Sequence, residues 1–147
     1  MVIGIIGENC SGKSTLAGRI RETIGGEVYS GKDYLRMAKS EGEAVSLFRA
    51  KLREAVSGDN LIYVISEKEL LSLLPDGAVR ILVSADLDVI KERFRQRMHG
   101  RLPGPVEQML ERKHGMFEDG TYDYRYNGAA GDADLLLREI RDRRNAG

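Results

Sequence analysis

A single cysteine, Cys10, in 147 residues has no partner for an internal disulfide and falls short of any cysteine-based metal site. Disulfide scaffolds and zinc fingers are excluded, and the expected compartment is the reducing cytoplasm. An excess of either charge is missing as well, because 23 lysines and arginines face 23 aspartates and glutamates. Bulk charge therefore exerts no pull toward a nucleic-acid polymer. Long apolar runs are absent: stretches such as LIYVI at 61–65 fall far below the roughly 20 residues that span a bilayer. The opening VIGIIG runs into a glycine-rich turn rather than a cleavable signal, so the expectation is a protein neither exported nor held in a membrane. Repeats, low-complexity tracts and Pro/Ser linkers are missing too, and the length suits one domain over residues 1–147.

What is present is an alternation. Short β-branched runs lie at 2–6 (VIGII), 27–30 (EVYS), 61–66 (LIYVIS), 79–84 (VRILVS) and 122–127 (YDYRYN). Between them, helical periodicity covers 13–24, 32–40, 43–57, 67–74, 86–99, 105–118 and 132–144. Such alternation predicts βαβ units, hence an α/β domain with a mostly parallel sheet and helices on both faces. The first, third and fourth runs read as strands buried on both sides.

Residues 7–14, GENCSGKS, match G-x-x-x-x-G-K-[ST] immediately after a strand and at the opening of a helix. In that context the backbone of Gly7, Glu8, Asn9, Cys10, Ser11, Gly12, Lys13, Ser14 and Thr15 is expected to wrap the phosphates of ATP. Glycines let N–H groups turn inward, and the helix N-terminus adds its partial positive charge. Lys13 is placed to reach the β- and γ-phosphates, and the Ser14 hydroxyl to bind Mg²⁺. Cys10 reads as a loop residue without chemical work of its own. The DxxG and NKxD segments of a GTPase are lacking, and the chain is too short for a motor ATPase, which leaves a small phosphotransferase.

Three further segments resemble the nucleoside-monophosphate kinases. YSGKDYLR at 29–36 is similar to the I-S-T-G-D-x-L-R segment of adenylate kinases, with Ser30, Asp33, Leu35 and Arg36 on matching positions. The resemblance implies that Arg36 grips a phosphate of the acceptor and that Ser30 lies beside it. Asp33 is either a base or metal-shell ligand, as in the related shikimate- and gluconate-kinase-like enzymes, or a carboxylate that steadies a helix start. KERFRQRMHGR at 91–101 resembles the arginine-bearing start of the adenylate-kinase lid. Arg93 and Arg97, one turn apart, are then clamps for the transferring phosphoryl group, with Arg101 and Arg112 as further candidates. The lid implied, about 93–112, is short, and His99 and His114 do not form a ligand pair.

Residues 106–128 resemble guanylate kinases, which implies that the loop from Asn127 to Gly131 borders the adenine, while Tyr122, Tyr124 and Tyr126 read as packing residues. The family resemblance implies a five-stranded parallel sheet of order 2-3-1-4-5, in a three-layer α/β/α phosphate-loop fold, with acceptor-binding helices at about 32–58. Two departures stand out. LIYVIS carries no aspartate at its end, leaving Ser66 and Glu67 as substitutes for an outer-shell Mg²⁺ contact. The region from Arg36 to Gly58 is also too short for the inserted sheet of guanylate kinases. The expected function is transfer of the γ-phosphate of ATP·Mg²⁺ to a small acceptor, a nucleotide or nucleoside, with Lys13, Arg93, Arg97 and Asp33 as candidate catalytic residues. The alternatives are a shikimate- or gluconate-type metabolite kinase and a nucleotide-binding regulator without turnover. Oligomeric state is left open.

Overall fold

The computed structural model describes residues 1–146. Strand β1 (Val2–Ile6) leads through a tight loop into helix α1 (Lys13–Ile24), and strand β2 (Glu27–Ser30) is followed by a 3-10 helix (Asp33–Met37) and α2 (Glu41–Ala55). Strand β3 (Leu61–Ile65) precedes a second 3-10 helix (Lys68–Leu73), then β4 (Val79–Ser84), α3 (Leu87–Arg97), α4 (Gly104–Lys113), β5 (Tyr124–Asn127) and α5 (Ala133–Ala146). The five strands run in the order β2-β3-β1-β4-β5, and every neighbouring pair is parallel. This is the expected sheet. Ile5 lies opposite Val64 on one side and Ile81 on the other, so β1 sits at the centre.

Burial follows position in the sheet. Every residue of β1 and β3 is buried, as their unbroken apolar runs require, whereas the edge strands β2 and β5 carry no fully buried residue. One face packs Tyr63 and Ile65 against Phe48 and Leu52 of α2. The other packs Ile3 and Ile5 against Leu16 and Ile20 of α1 and Ile140 of α5. Each such aliphatic side chain, fully withdrawn from water, contributes about 1.5–3 kcal/mol. Both layers therefore hold β1 rigidly, and with it the loop at its C-terminal end.

Several helix limits differ from the sequence reading, each for a local reason. The stretch 32–40 shortens to the 3-10 turn because Asp33 Oδ2 accepts from the Ser30 N–H at 2.9 Å and Ala38 is extended. Ser40 then caps α2 by accepting from the Glu43 N–H at 3.2 Å, so that helix starts at Glu41. The stretch 67–74 is a 3-10 helix rather than an α-helix. The stretch 105–118 stops at Lys113, since the next residue, His114, is extended (ψ 129°) and Gly115 then takes a positive φ of +80°. Helices α3 and α4 pack on each other through a small apolar cluster of Cys10, Ile90 and Leu110 and an ion pair between Lys91 and Glu111 at 2.7 Å. Cys10 is thus a buried packing residue beneath these helices. No described helix is long and apolar enough to cross a membrane.

Candidate active site

The loop between β1 and α1 opens at the C-terminal edge of the sheet, where ligands of parallel α/β folds bind. Gly7 remains tied to the sheet by its N–H to Ile65 O at 3.2 Å, and the Ser11 N–H closes the turn on Glu8 O at 3.2 Å. Gly12, with φ +110°, caps α1 without a side chain, and the helix has no acidic residue in its first turn. The first N–H groups of α1 therefore lack both an intrahelical partner and a carboxylate, and the positive end of the helix dipole is left for a ligand.

Lys13 is only 6% exposed, and its Nζ donates to Glu8 O at 2.6 Å. No carboxylate forms an ion pair with it among the described residues. Burial pulls its pKa from 10.5 down to about 8, and the nearby Arg97 guanidinium pushes in the same direction. The unfolded chain binds more protons between those two values, so the stability of the unliganded protein should rise as pH climbs from about 8 toward 10.5, with the full cost of the buried charge present below that window. A polyanion bound at Lys13 restores the ordinary pKa. ATP binding at about pH 9 should therefore take up a proton, measured by calorimetry in two buffers of different ionisation enthalpy, and uptake should vanish at about pH 6.5. Equal heats in both buffers at the higher pH would show that Lys13 is already fully charged in the unliganded loop.

Two hollows flank this lysine. The first, about 360 Å³, is lined by Lys13, Ser14, Ser30, Ser66, Glu67 and Arg97, among others. The second, about 310 Å³, lies between α1, α3 and the end of β5, with Arg19, Arg93, Arg97 and Tyr126 in its wall. Arg97 borders both. The exposed Ser14 hydroxyl and the Glu67 carboxylate share the first hollow, an oxygen donor set suited to Mg²⁺. No three metal-binding His, Cys, Asp or Glu side chains cluster among the described residues. The protein therefore fits a cation held jointly with substrate phosphates rather than caged by the chain alone.

Arg93 occupies a different position from Arg97. Its two terminal nitrogens donate to Cys10 O and Gly128 O, each at 3.0 Å, tying α3 to the phosphate loop and to the loop after β5. Gly128 is indispensable to that junction, since a Cβ there would lie 1.7 Å from Ser11 O. Its own N–H donates to Ser84 O at 2.7 Å. Asn127 shapes this loop, its Oδ1 accepting from the Ala129 and Ala130 N–H groups at 2.8 and 3.0 Å, and it lines neither hollow.

The acceptor-side candidates separate. Ser30 reaches the Lys13 hollow, whereas Asp33 and Arg36 line another one outside β2 with Arg21 and Glu27. Arg36 is 81% exposed in its side chain and lies 3.5 Å from Asp33, the i, i+3 neighbour that a 3-10 turn brings into register. The structure therefore brings together Lys13, Ser14, Ser30, Glu67 and Arg97, with Ser66; Asp33 meets this set through the Ser30 N–H that its carboxylate accepts, and Arg36 lines the other hollow. The junction at Gly128 escaped the sequence reading, because a lone glycine after a strand carries no signal of what presses on it.

No protein-family model matches the sequence, and no curated protein matches it. Solved structures do share the architecture. A gluconokinase from Sinorhizobium meliloti superposes with a TM-score of 0.59 at 16% identity, over 96% of this chain and 89% of its own. A shikimate kinase from Aquifex aeolicus gives 0.58 at 17%, over 99% and 97%. A deoxyadenosine kinase from M. mycoides gives 0.56 at 15%, over 100% of both chains. The chain has the phosphate-loop kinase fold. At these identities the likeness is one of fold, spanning the chain from end to end.

Proposed function

We propose that the protein is a phosphotransferase that moves the γ-phosphate of ATP, with Mg²⁺, to a hydroxyl of a small acceptor held at the C-terminal ends of β2 and β3. The observation that carries this reading is Lys13: a nearly buried ammonium without an ion-pair partner among the described residues, beside an uncapped helix start. Such a group is costly unless an anion completes it. Arg97, across the same hollow, supplies a second positive charge where charge accumulates on the transferring group. Ser14 would hold Mg²⁺ together with the substrate phosphates, and the cation would offset their negative charge.

The acceptor is expected to be a nucleotide or nucleoside, and the lining of the hollow favours one that brings a free hydroxyl and no phosphate. Ser30, Gly31, Ser66 and Glu67 line it beside Arg97, the one guanidinium among its described lining residues, since Arg36 lines the separate hollow. A nucleoside or a sugar acid of the type handled by shikimate- and gluconate-type kinases meets those hydroxyl groups. In the transfer, the acceptor oxygen bonds to the γ-phosphorus and the bond to the β,γ-bridging oxygen breaks. ADP leaves, and the hydroxyl proton passes to the Glu67 carboxylate, which in this reading accepts the proton and does not ligate Mg²⁺ directly. An ATP-consumption screen over nucleosides, nucleoside monophosphates and sugar acids tests this. Phosphate-free acceptors should be preferred, Glu67→Gln should lower kcat about 10²-fold, and Arg36→Ala should change kcat/KM less than about twofold. A monophosphate acceptor whose kcat/KM falls about two orders of magnitude in Arg36→Ala would instead make Arg36 the phosphate clamp that the YSGKDYLR resemblance implies.

A further inference from the structure

One side chain of the phosphate loop has no part in the chemistry above. Glu8, the second residue of the loop, places a carboxylate where a polyanion is to bind, an adverse location unless that charge is engaged elsewhere. It is engaged: Oε2 accepts from the Gly115 N–H at 3.1 Å, and Oε1 lies 3.1 Å from His114 Nδ1. Only 12% of the Glu8 side chain remains exposed. The carbonyl of the same residue holds Lys13 Nζ at 2.6 Å and the Ser11 N–H at 3.2 Å. A single residue thus grips Lys13 through its main chain and, through its side chain, a segment 107 positions away.

That segment is anchored beyond the contact as well. Phe117 is buried with Tyr34, Phe48 and Leu70 in the core on the α2 side, and the Tyr122 hydroxyl donates to Phe117 O at 2.6 Å. On its other side the segment continues from α4, which packs on α3, whose last residue is Arg97. Arg93 ties α3 to the loop at one point, and Glu8 ties the end of α4 to it at another.

We propose that Glu8 is a positioning residue whose carboxylate latches residues 114–117 to the phosphate loop, coupling the placement of α3, α4 and Arg97 to the shape of the loop around Lys13. This rests on the nucleotide-binding reading of the loop, and the two are separable by experiment. Hydrogen–deuterium exchange of the full chain, read on a peptide covering residues 113–121, tests the latch without nucleotide. Glu8→Ala should speed exchange of that peptide at least about tenfold while peptides from β1 and β3 keep their protection. Glu8→Gln, whose amide oxygen still accepts from the Gly115 N–H, should recover most of it. Wild-type protection in Glu8→Ala overturns the latch. His114→Ala lies outside the loop and serves if Glu8→Ala does not fold: a smaller acceleration is expected, and none overturns the proposal.

The coupling is read with the β,γ-imido analogue of ATP plus magnesium. In the wild type the analogue should slow exchange of the 113–121 peptide further. In Glu8→Ala it should bind, by calorimetry, yet leave that peptide unchanged, and slowing that persists there overturns the coupling. A wild-type protein that does not bind the analogue counts against the functional reading and not against the latch, which the unliganded exchange decides alone.

Discussion

Lys13→Met is expected to abolish phosphoryl transfer, with kcat lowered by about 10³-fold or more, without lowering the melting temperature of the unliganded protein. In most proteins an inactivating core substitution also destabilises, and here the two effects should part. The ammonium is buried, and burial alone accounts for most of the fall of its pKa to about 8, so its charge is held in the free protein at a cost. Methionine fills nearly the same volume and carries no charge, although it gives up the hydrogen bond to Glu8 O. The unliganded variant should melt at or above the wild-type temperature near neutral pH. Saturating ATP·Mg²⁺ is expected to raise the melting temperature of the wild type and not that of the variant, because on the proposed reading the phosphates offset the buried charge. Thermal scans with and without nucleotide check both halves. A variant that melts well below wild type, or one still stabilised by ATP to the wild-type extent, contradicts the role assigned to this lysine.

Gly128→Ala should be the most damaging Gly→Ala change among the described glycines outside the phosphate loop. Its Cβ would stand 1.7 Å from Ser11 O and 3.1 Å from Val83 Cγ1. Neither side of the close contact can yield: Ser11 lies in the loop held by the Glu8 turn, and Gly128 is itself pinned to Ser84 O and Arg93. Relief requires the β5–α5 loop to lift off the phosphate loop, breaking the Arg93 junction. A loss of about 3 kcal/mol or more follows, or roughly 10 °C in melting temperature, together with weakened nucleotide binding. Gly18→Ala provides the contrast. That glycine lies on α1, and a Cβ added there would meet nothing within 4 Å, so alanine should stabilise by about 0.5–1 kcal/mol through helix propensity. If Gly128→Ala melts within a degree or two of wild type, the close approach is not a constraint in solution.

How far these features could be read in advance depended on their range along the chain. The phosphate loop was legible because all of its parts lie within eight consecutive residues, and the spacing of glycines, lysine and serine sets the geometry locally. The central strands were legible because burial on both faces demands the unbroken apolar runs of β1 and β3. Arg36 shows where such reading stops. Its motif position was clear, but a 3-10 turn in place of a helix sends it to a hollow outside β2. Arg93 and Arg97 are four residues apart and looked equivalent, yet only the packing of α3 against the loops gave one to two carbonyls and the other to the cleft.

By itself, then, the sequence determined the glycine-rich loop between β1 and α1, the parallel α/β character of the sheet and the burial of its centre, all of which arise from neighbours close in the chain. Tertiary structure alone decided the junction of Gly128 with Ser11, the fork of Arg93 and the reach of Glu8 to Gly115. Those contacts join residues 35 to 117 positions apart. Their existence depends on how whole layers pack, and a side chain's partner at that range is set by the summed burial of both layers rather than by any local pattern.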